Sequence, residues 1–194
     1  MLIKLKDIAD VIAGYAFRGA IKPDISGDTF ILQARNITQE DEIKHISDFT
    51  KISFNSLRTA AFLKKNDIVM TSRGMGPGSF RTTVVKFSDD NVLATSSVHI
   101  IRIKDSNVVP EYLSLYLDST NGQNDIFMNV SGSYIKTILR KDLEDIEVPL
   151  PSIDKQKTIV ALHENMRRQE EIINRKSEIR RNLYNATFRT GLIA

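Results

Sequence analysis

The spacing of hydrophobic and polar positions changes several times along the chain, and each change predicts an element. Leu5, Ile8 and Ile12 fall at helical intervals before Gly14, so an opening helix with a glycine C-cap is expected. Gly14 to Gly19, holding Tyr15, Phe17 and Arg18, reads as a loop. Residues 29–37 form a strand candidate, followed by an acidic turn at Glu40-Asp41-Glu42. A short helix is expected from Ser56 to Phe62. Three strands follow over 67–73, 81–87 and 91–104, the last alternating through Val98, Ile100 or Ile101, and Ile103. The breaker-rich turn 74–78 joins the first two. Pro110 at a helix N1 position, with Tyr112, Leu113, Tyr116 and Leu117 at helical spacing, opens a helix over 110–117. A second helix is expected over 124–129 and a loop over 131–134, after which 135–146 leads to Pro149 and Pro151. These prolines hold the chain extended.

Beyond Pro151 the pattern becomes helical without interruption. Ser152 is a candidate N-cap, Asp154 suits the helix dipole, and glycine waits until Gly191. A helix from Ser152 to Phe188 would run roughly 55 Å. Its apolar positions are Ile159, Leu162, Met166, Ile172, Ile173, Ile179, Leu183 and Ala186. At 100° per residue this stripe drifts backward in the sense of a heptad repeat, which indicates a left-handed helix pair. Gln169, Lys176 and Arg180 interrupt the seam, where polar residues cost stability but fix register. Glu164 with Arg168, and Glu171 with Arg175, are expected i,i+4 pairs. The competing reading is a solvated helix packed along its own domain. The expected fold class is therefore α+β: a mixed, strand-rich domain over residues 1–151 and a long helix over 152–190.

Composition narrows the function classes. The hydrophobic content of 41% and charged content of 26% are those of a globular chain, and the absence of cysteine excludes disulfides and thiolate metal sites. Residues 1–7 include an acid and no signal-peptide core, and no run approaches a membrane span, so a cytoplasmic location is the default expectation. The net charge of +3 is unevenly placed: residues 152–194 hold nine Lys/Arg against five Asp/Glu, and the first 151 hold eighteen against nineteen. Any nucleic-acid surface in the larger domain would have to be a local patch.

Candidate chemistry is sparse. Pro23-Asp24 followed by Glu42-Ile43-Lys44 matches the carboxylate–carboxylate–lysine pattern of metal-dependent nucleases, but the tripeptide follows a hydrophilic turn and no further acid is obviously placed. Gly74-x-Gly-x-Gly78 superficially resembles a phosphate-cradling loop, yet lacks the Gly-Lys-Ser/Thr that would complete it; a hairpin turn is the better reading. Arg73, Ser79 and Arg81 flank that turn. His45, His99 and His163 show no ligand spacing, and His99 in its strand reads as a satisfied structural histidine. No catalytic residue, metal or cofactor is expected.

The order of segments nevertheless carries a resemblance. Asn66-Asp-Ile-Val-Met-Thr-Ser-Arg-Gly74, Ala94 to Arg102, Pro110-Glu-Tyr-Leu-Ser-Leu-Tyr-Leu117 and Gly132-Ser-Tyr-Ile-Lys136 occur in sequence. They are followed by Ile146-Glu-Val-Pro-Leu-Pro151, Gln156 and Ile159-Val160. This arrangement resembles the specificity subunit of type I restriction–modification systems. There, an Ile-x-Ile-Pro-Leu-Pro-Pro junction leads from a target recognition domain into a long conserved-region helix. Two positions depart from the pattern: Asn66 stands where glycine is frequent, and Ser152 where proline is. The larger departure is copy number, since the family carries two recognition domains and two helices and this chain one of each.

The resemblance implies a non-catalytic subunit that binds double-stranded DNA and directs methyltransferase and restriction subunits to a bipartite site. One domain and one helix reproduce that arrangement by pairing with a second copy in an antiparallel homodimer seamed by residues 159–186. Identical half-sites, an interrupted palindrome, are then expected. Base and phosphate contacts need donors on loops, and the candidates are Arg18, Lys22, Arg35, Asn36, Arg73, Arg81, Ser97, Tyr134 and Lys136. Arg73, Arg81, Tyr134 and Lys136 rank highest because they border glycine-containing turns. Two other classes remain: a metal-dependent nuclease, and a coiled-coil adaptor without DNA binding.

Overall fold

The computed structural model describes residues 1–38, 42–43, 45–46, 49–55, 59–88 and 91–189. Strand β1 (Leu2–Lys4) passes through one helical turn, α1 (Leu5–Ile8), into β2 (Ala9–Ala13). After β3 (Thr29–Leu32) comes a 3-10 turn at Ala34–Asn36, then β4 (Glu42–Ile43) and β5 (Thr50–Ile52). Strands β6 (Ile68–Thr71), β7 (Arg73–Gly74), β8 (Thr82–Val85), β9 (Val92–Ala94) and β10 (Val98–Ile103) precede helices α2 (Pro110–Asp118) and α3 (Thr120–Met128). The chain closes with β11 (Lys136–Thr137), α4 (Arg140–Glu144), β12 (Glu147–Pro149) and α5 (Ile153–Arg189).

The class is the expected α+β. A central sheet of order β2-β10-β6-β8-β4 is antiparallel except for the β4–β8 pair. Both of its faces are covered, which is why Ile68-Val-Met-Thr71 is buried throughout instead of alternating. Side-chain alternation sends Ile68, Met70, Val84 and Ile101 to one cluster, with Leu113, Leu117, Ile126 and Leu143 of the helices. Val69, Val85, Val98 and Ile100 go to the other, where a second sheet of order β5-β3-β9 supplies Ile31, Leu32, Ile52, Val92 and Leu93. The ribbon β1–β12 keeps the segment around Pro149 extended, as its prolines require.

Several expectations are corrected. The opening helix is one turn, and 9–13 is strand: Ala9 and Val11 are buried, and the segment pairs along β10. The strand expected over 29–37 stops at Leu32, because Asn36 and Gln33 close a capping box around the 3-10 turn. The strand expected over 91–104 is two strands in different sheets, parted at Thr95-Ser96-Ser97. The helix expected over 56–62 falls partly on residues 56–58, outside the described residues; Thr59 to Phe62 is not helical, and Phe62 bridges Leu93. The acidic turn lies mostly outside the described residues, as do Lys44 and positions 190–194. The second helix starts at Thr120 because Ser119 caps it, its hydroxyl accepting from the Gly122 N–H at 3.2 Å. Asn66 takes the left-handed conformation its place before Asp67 demands, with φ of +69°.

Residues Met1–Gln156 form one compact unit and Lys157–Ala194 a second. The first turn of α5 therefore belongs to the first unit, where buried Gln156 accepts from the Val109 N–H and donates to the Asn107 and Pro151 carbonyls, each at 2.9 Å. In the second unit all eight stripe residues, Ile159 to Ala186, are exposed. Glu171 pairs back to Arg167 at 3.6 Å and Arg175 forward to Glu178 at 3.0 Å, in place of the two expected pairs. Exposed helix pairs are worth about 0.3–0.5 kcal/mol each, so spacing alone does not select among them.

Candidate nucleic-acid interface

Antiparallel order places the ends of β2 and β6 beside the starts of β10 and β8. Polar backbone groups freed there are joined into one seam across both sheets. The Ser72 N–H donates to the Ser97 carbonyl at 2.9 Å and the Ser72 hydroxyl to the Ser96 carbonyl at 3.1 Å. Ser97 Oγ accepts the Ala34 N–H at 3.1 Å, and the Thr95 N–H reaches the Leu32 carbonyl at 2.9 Å. Tyr15 closes the row, its carbonyl accepting from the Ser96 N–H at 2.9 Å. On the far side, the Ser72 carbonyl accepts the Ile138 N–H at 3.1 Å. Gly14 permits the Tyr15 crossing, since a Cβ there would lie 2.0 Å from the Thr95 carbonyl oxygen.

The candidate residues hang from this seam. Arg73 follows Ser72 on β7, which pairs with β11 in the register Lys136↔Gly74 and Thr137↔Arg73, so the ribbon brings Arg73, Lys136 and the loop of Tyr134 together. Arg81 stands at the start of β8, its carbonyl bonded to the Thr71 N–H at 3.0 Å. Arg35 and Asn36 occupy the 3-10 turn after Ala34. Arg18 and Lys22 lie in the loop after Tyr15 and line an open pocket of about 620 Å³ with Tyr15, Phe17 and Phe54, whose rings pack edge to face at 4.9–6.0 Å.

Their chemistry differs. Arg18, Lys22, Arg73 and Arg81 are exposed, and none is ion-paired among the described residues. Arg35 is exposed with one bond, to Thr50 Oγ1 at 3.1 Å. Three other polar groups are already committed within the fold. Asn36 Oδ1 accepts the Gln33 N–H at 2.9 Å, Ser97 Oγ holds Ala34 and Thr95, and Lys136 Nζ donates to the Gly132 carbonyl at 2.7 Å. At the opposite end of the central sheet Arg102 meets buried Asp67 at 2.6 Å and Lys104 faces Asp10 at 3.5 Å, while Lys64 and Lys65 beside them are exposed.

Sequence reasoning missed the residues that build this end. Ser72 is buried and joins three segments; its only signal was a hydroxyl pair, Thr71-Ser72, before an arginine. Gln123, 4% exposed, ties down the loop after Arg73 through Gly78 and Phe80, and nothing in its spacing marked it. His99 is satisfied at one nitrogen only: Nε2 bonds the Ile138 carbonyl at 2.9 Å, and Nδ1 has no partner among the described residues. Asp24, offered for the nuclease pattern, is taken up in its own turn. Its carboxylate accepts from the Ser53 and Ser26 hydroxyls at 2.6 and 2.7 Å and from the Ser26 N–H at 3.0 Å, and these bonds hold it below the usual carboxylate range. No cluster of metal-ligating side chains occurs among the described residues.

A sequence model of the type I restriction modification DNA specificity domain matches residues 1–180. The chain belongs to that family. This specificity domain is 29% identical over 177 residues to the type I restriction enzyme EcoBI specificity subunit of Escherichia coli, covering 89% of this chain and 35% of that protein. The chain therefore spans little more than a third of its curated relative. Its fold is that of the HsdS subunit from Thermoanaerobacter tengcongensis, with a TM-score of 0.65 at 16% identity over 91% of this chain and 39% of that one. The S subunit from M. genitalium superimposes with a TM-score of 0.56 at 17% identity, over 94% and 42% of the two chains. No helix among the described residues is long and apolar enough to cross a membrane.

Proposed function

We propose that the chain is a DNA-reading specificity subunit of a type I restriction–modification system, with residues 1–151 as the target recognition domain and 152–190 as a spacer and dimerisation helix. The observation that carries this reading is the seam: Arg18, Arg73 and Arg81, exposed and without an ion pair among the described residues, follow the strand ends that it joins, as a phosphate-tracking surface requires. In this role the subunit does no chemistry and holds no cofactor. It directs methyltransferase and restriction subunits, in the cytoplasm, to a bipartite site.

The helix supports a homodimer through its symmetry. About the 172–173 peptide, Ile159 mirrors Ala186, Leu162 mirrors Leu183, Met166 mirrors Ile179, and Ile172 mirrors Ile173. Gln169 mirrors Lys176, so even the polar interruption has a matching place. A stripe that reads alike in both directions is what two copies of one helix need to meet antiparallel around a dyad.

Co-expression with the cognate methyltransferase subunit, followed by methylation mapping, tests the reading. An interrupted palindrome is expected, and Arg73→Ala should relax one position of it. Lys22→Ala should weaken all sequences alike and lower the salt slope by about 1. An asymmetric site would exclude the homodimer, and absence of salt-dependent DNA retention would exclude DNA recognition.

A further inference from the structure

Exposed large apolar side chains on a braced framework mark contact surfaces, and the β7–β11 ribbon ends in a group of them. Beyond the Gly74·Lys136 pair, Met75 is 69% exposed on one strand; on the other, Ile135 is 56% and Tyr134 77% exposed. Their backbone is held in place. Ser131 and Thr137 exchange both backbone hydrogen bonds, at 3.0 and 2.9 Å, closing the loop 132–136. Gly132 makes that closure possible with φ of +102°; a Cβ would lie 2.4 Å from the Ile135 carbonyl oxygen. Lys136 Nζ donates to the Gly132 carbonyl at 2.7 Å. Across the ribbon, the Gly78 N–H bonds buried Gln123 at 2.9 Å, and the Ser79 N–H bonds the Gly76 carbonyl at 3.2 Å.

A two-stranded ribbon is a width the major groove of B-DNA admits, and exposed Arg73 and Arg81 flank this one with positive charge. That combination fits a partner that is anionic along its margins and presents apolar points between them. In the major groove the apolar point is the C5-methyl group of thymine. The geometry points to Met75, Tyr134 and Ile135 as an apolar tip that reads thymine methyl groups in the major groove, a role that rests on the DNA reading above.

Uracil substitution removes that methyl and leaves the hydrogen-bonding edge intact. A randomised duplex pool is enriched on the full chain co-purified with its methyltransferase subunit, and each thymine of the enriched site is then replaced singly by uracil. At one or more positions the wild type should bind about fourfold more weakly, the worth of one buried methyl. Ile135→Ala or Met75→Ala should bind thymine and uracil duplexes alike there, with unchanged thermal melting and unchanged salt slope. Indifference of the wild type to uracil at every position would overturn the inference, as would full uracil sensitivity in both variants. So would variants that lose the methyltransferase subunit while keeping uracil discrimination, since the tip would then dock protein. Failure to retain any duplex would instead remove the DNA reading, and the tip's role with it.

Discussion

Gln123 grips Phe80 at both ends of its backbone: Nε2 donates to the Phe80 carbonyl at 2.8 Å and Oε1 accepts the Phe80 N–H at 3.3 Å. The same side chain reaches the Gly78 N–H at 2.9 Å and the Leu117 carbonyl at 2.8 Å, so helix α3 fixes the loop between Arg73 and Arg81. Gln123→Leu keeps the volume and strands those buried backbone groups, each worth about 1–3 kcal/mol when unpaired. The variant should lose on the order of 3 kcal/mol in urea denaturation and blur the bases read near Arg73. Wild-type stability in this variant would show that the loop finds its order elsewhere.

Asp67 and Arg102 are expected to matter more than any exposed ion pair. Asp67 is 2% exposed, receives Arg102 through both oxygens, at 2.9 and 2.6 Å, and accepts the Lys64 N–H at 2.7 Å. Removing one partner of such a pair leaves a buried charge uncompensated, at a cost of about 3–5 kcal/mol. Arg102→Ala, which strands the buried Asp67 carboxylate, should approach that loss, while Asp10→Ala, which breaks only the exposed contact to Lys104, should change stability by less than about 1 kcal/mol. Urea midpoints of the two variants check the ranking.

Acid should weaken the domain through His99. Burial lowers the affinity of its imidazole for a proton, the Ile138 carbonyl offsets this in part, and Arg140 adds to the lowering. The unfolded chain, with an ordinary value near 6.5, then takes up the proton first as pH falls. Stability is therefore complete above 6.5, declines below it, and levels off beneath the lower folded value. His99→Gln should flatten the melting temperature across that window. Asp145, held below its usual range mainly by the hydrogen bond from Lys6, adds its own loss in stronger acid, as pH falls from the ordinary value near 3.8 towards its lower folded value.

Local signals in the sequence carried the elements that are locally determined. Pro110 at N1 and the run of helical spacing gave α2, and the proline pair followed by unbroken periodicity gave α5. The opening segment misled because Leu5, Ile8 and Ile12 satisfy a helical spacing while Ala9 and Val11 satisfy alternation; pairing with β10 decided between them, and a partner 90 residues away is not written locally. For the same reason Thr95-Ser96-Ser97 gave no notice of its turn from one sheet to the other. Proximity to glycine turns picked out Arg73 and Lys136 as neighbours, whereas the alignment of Arg18 and Arg35 with them depends on strand order. Phe54, Gln123 and Ser72 carry no motif, and their roles exist only once the sheets have assembled.

The mirror symmetry of the long helix makes a prediction about register that pairing alone does not. If two copies meet antiparallel about the 172–173 peptide, residue 173 lies opposite residue 172 of the other chain and about 1.5 Å along the axis from its own copy, and residue 162 lies beside residue 183 of the other chain. A disulfide requires Cα atoms about 4.4–6.8 Å apart, so it reports register to within a turn. The chain has no cysteine, which leaves introduced thiols as the sole reporters. Ile173→Cys should cross-link to itself on mild oxidation. Leu162→Cys and Leu183→Cys should each remain uncross-linked alone, yet form a disulfide when the two variants are mixed. A parallel pair would cross-link every variant to itself, and a monomer would cross-link none. Lys176→Glu should then shift or loosen the pair, because in this register residue 176 falls opposite Gln169 and beside Glu170 of the other chain, where a like charge is destabilising.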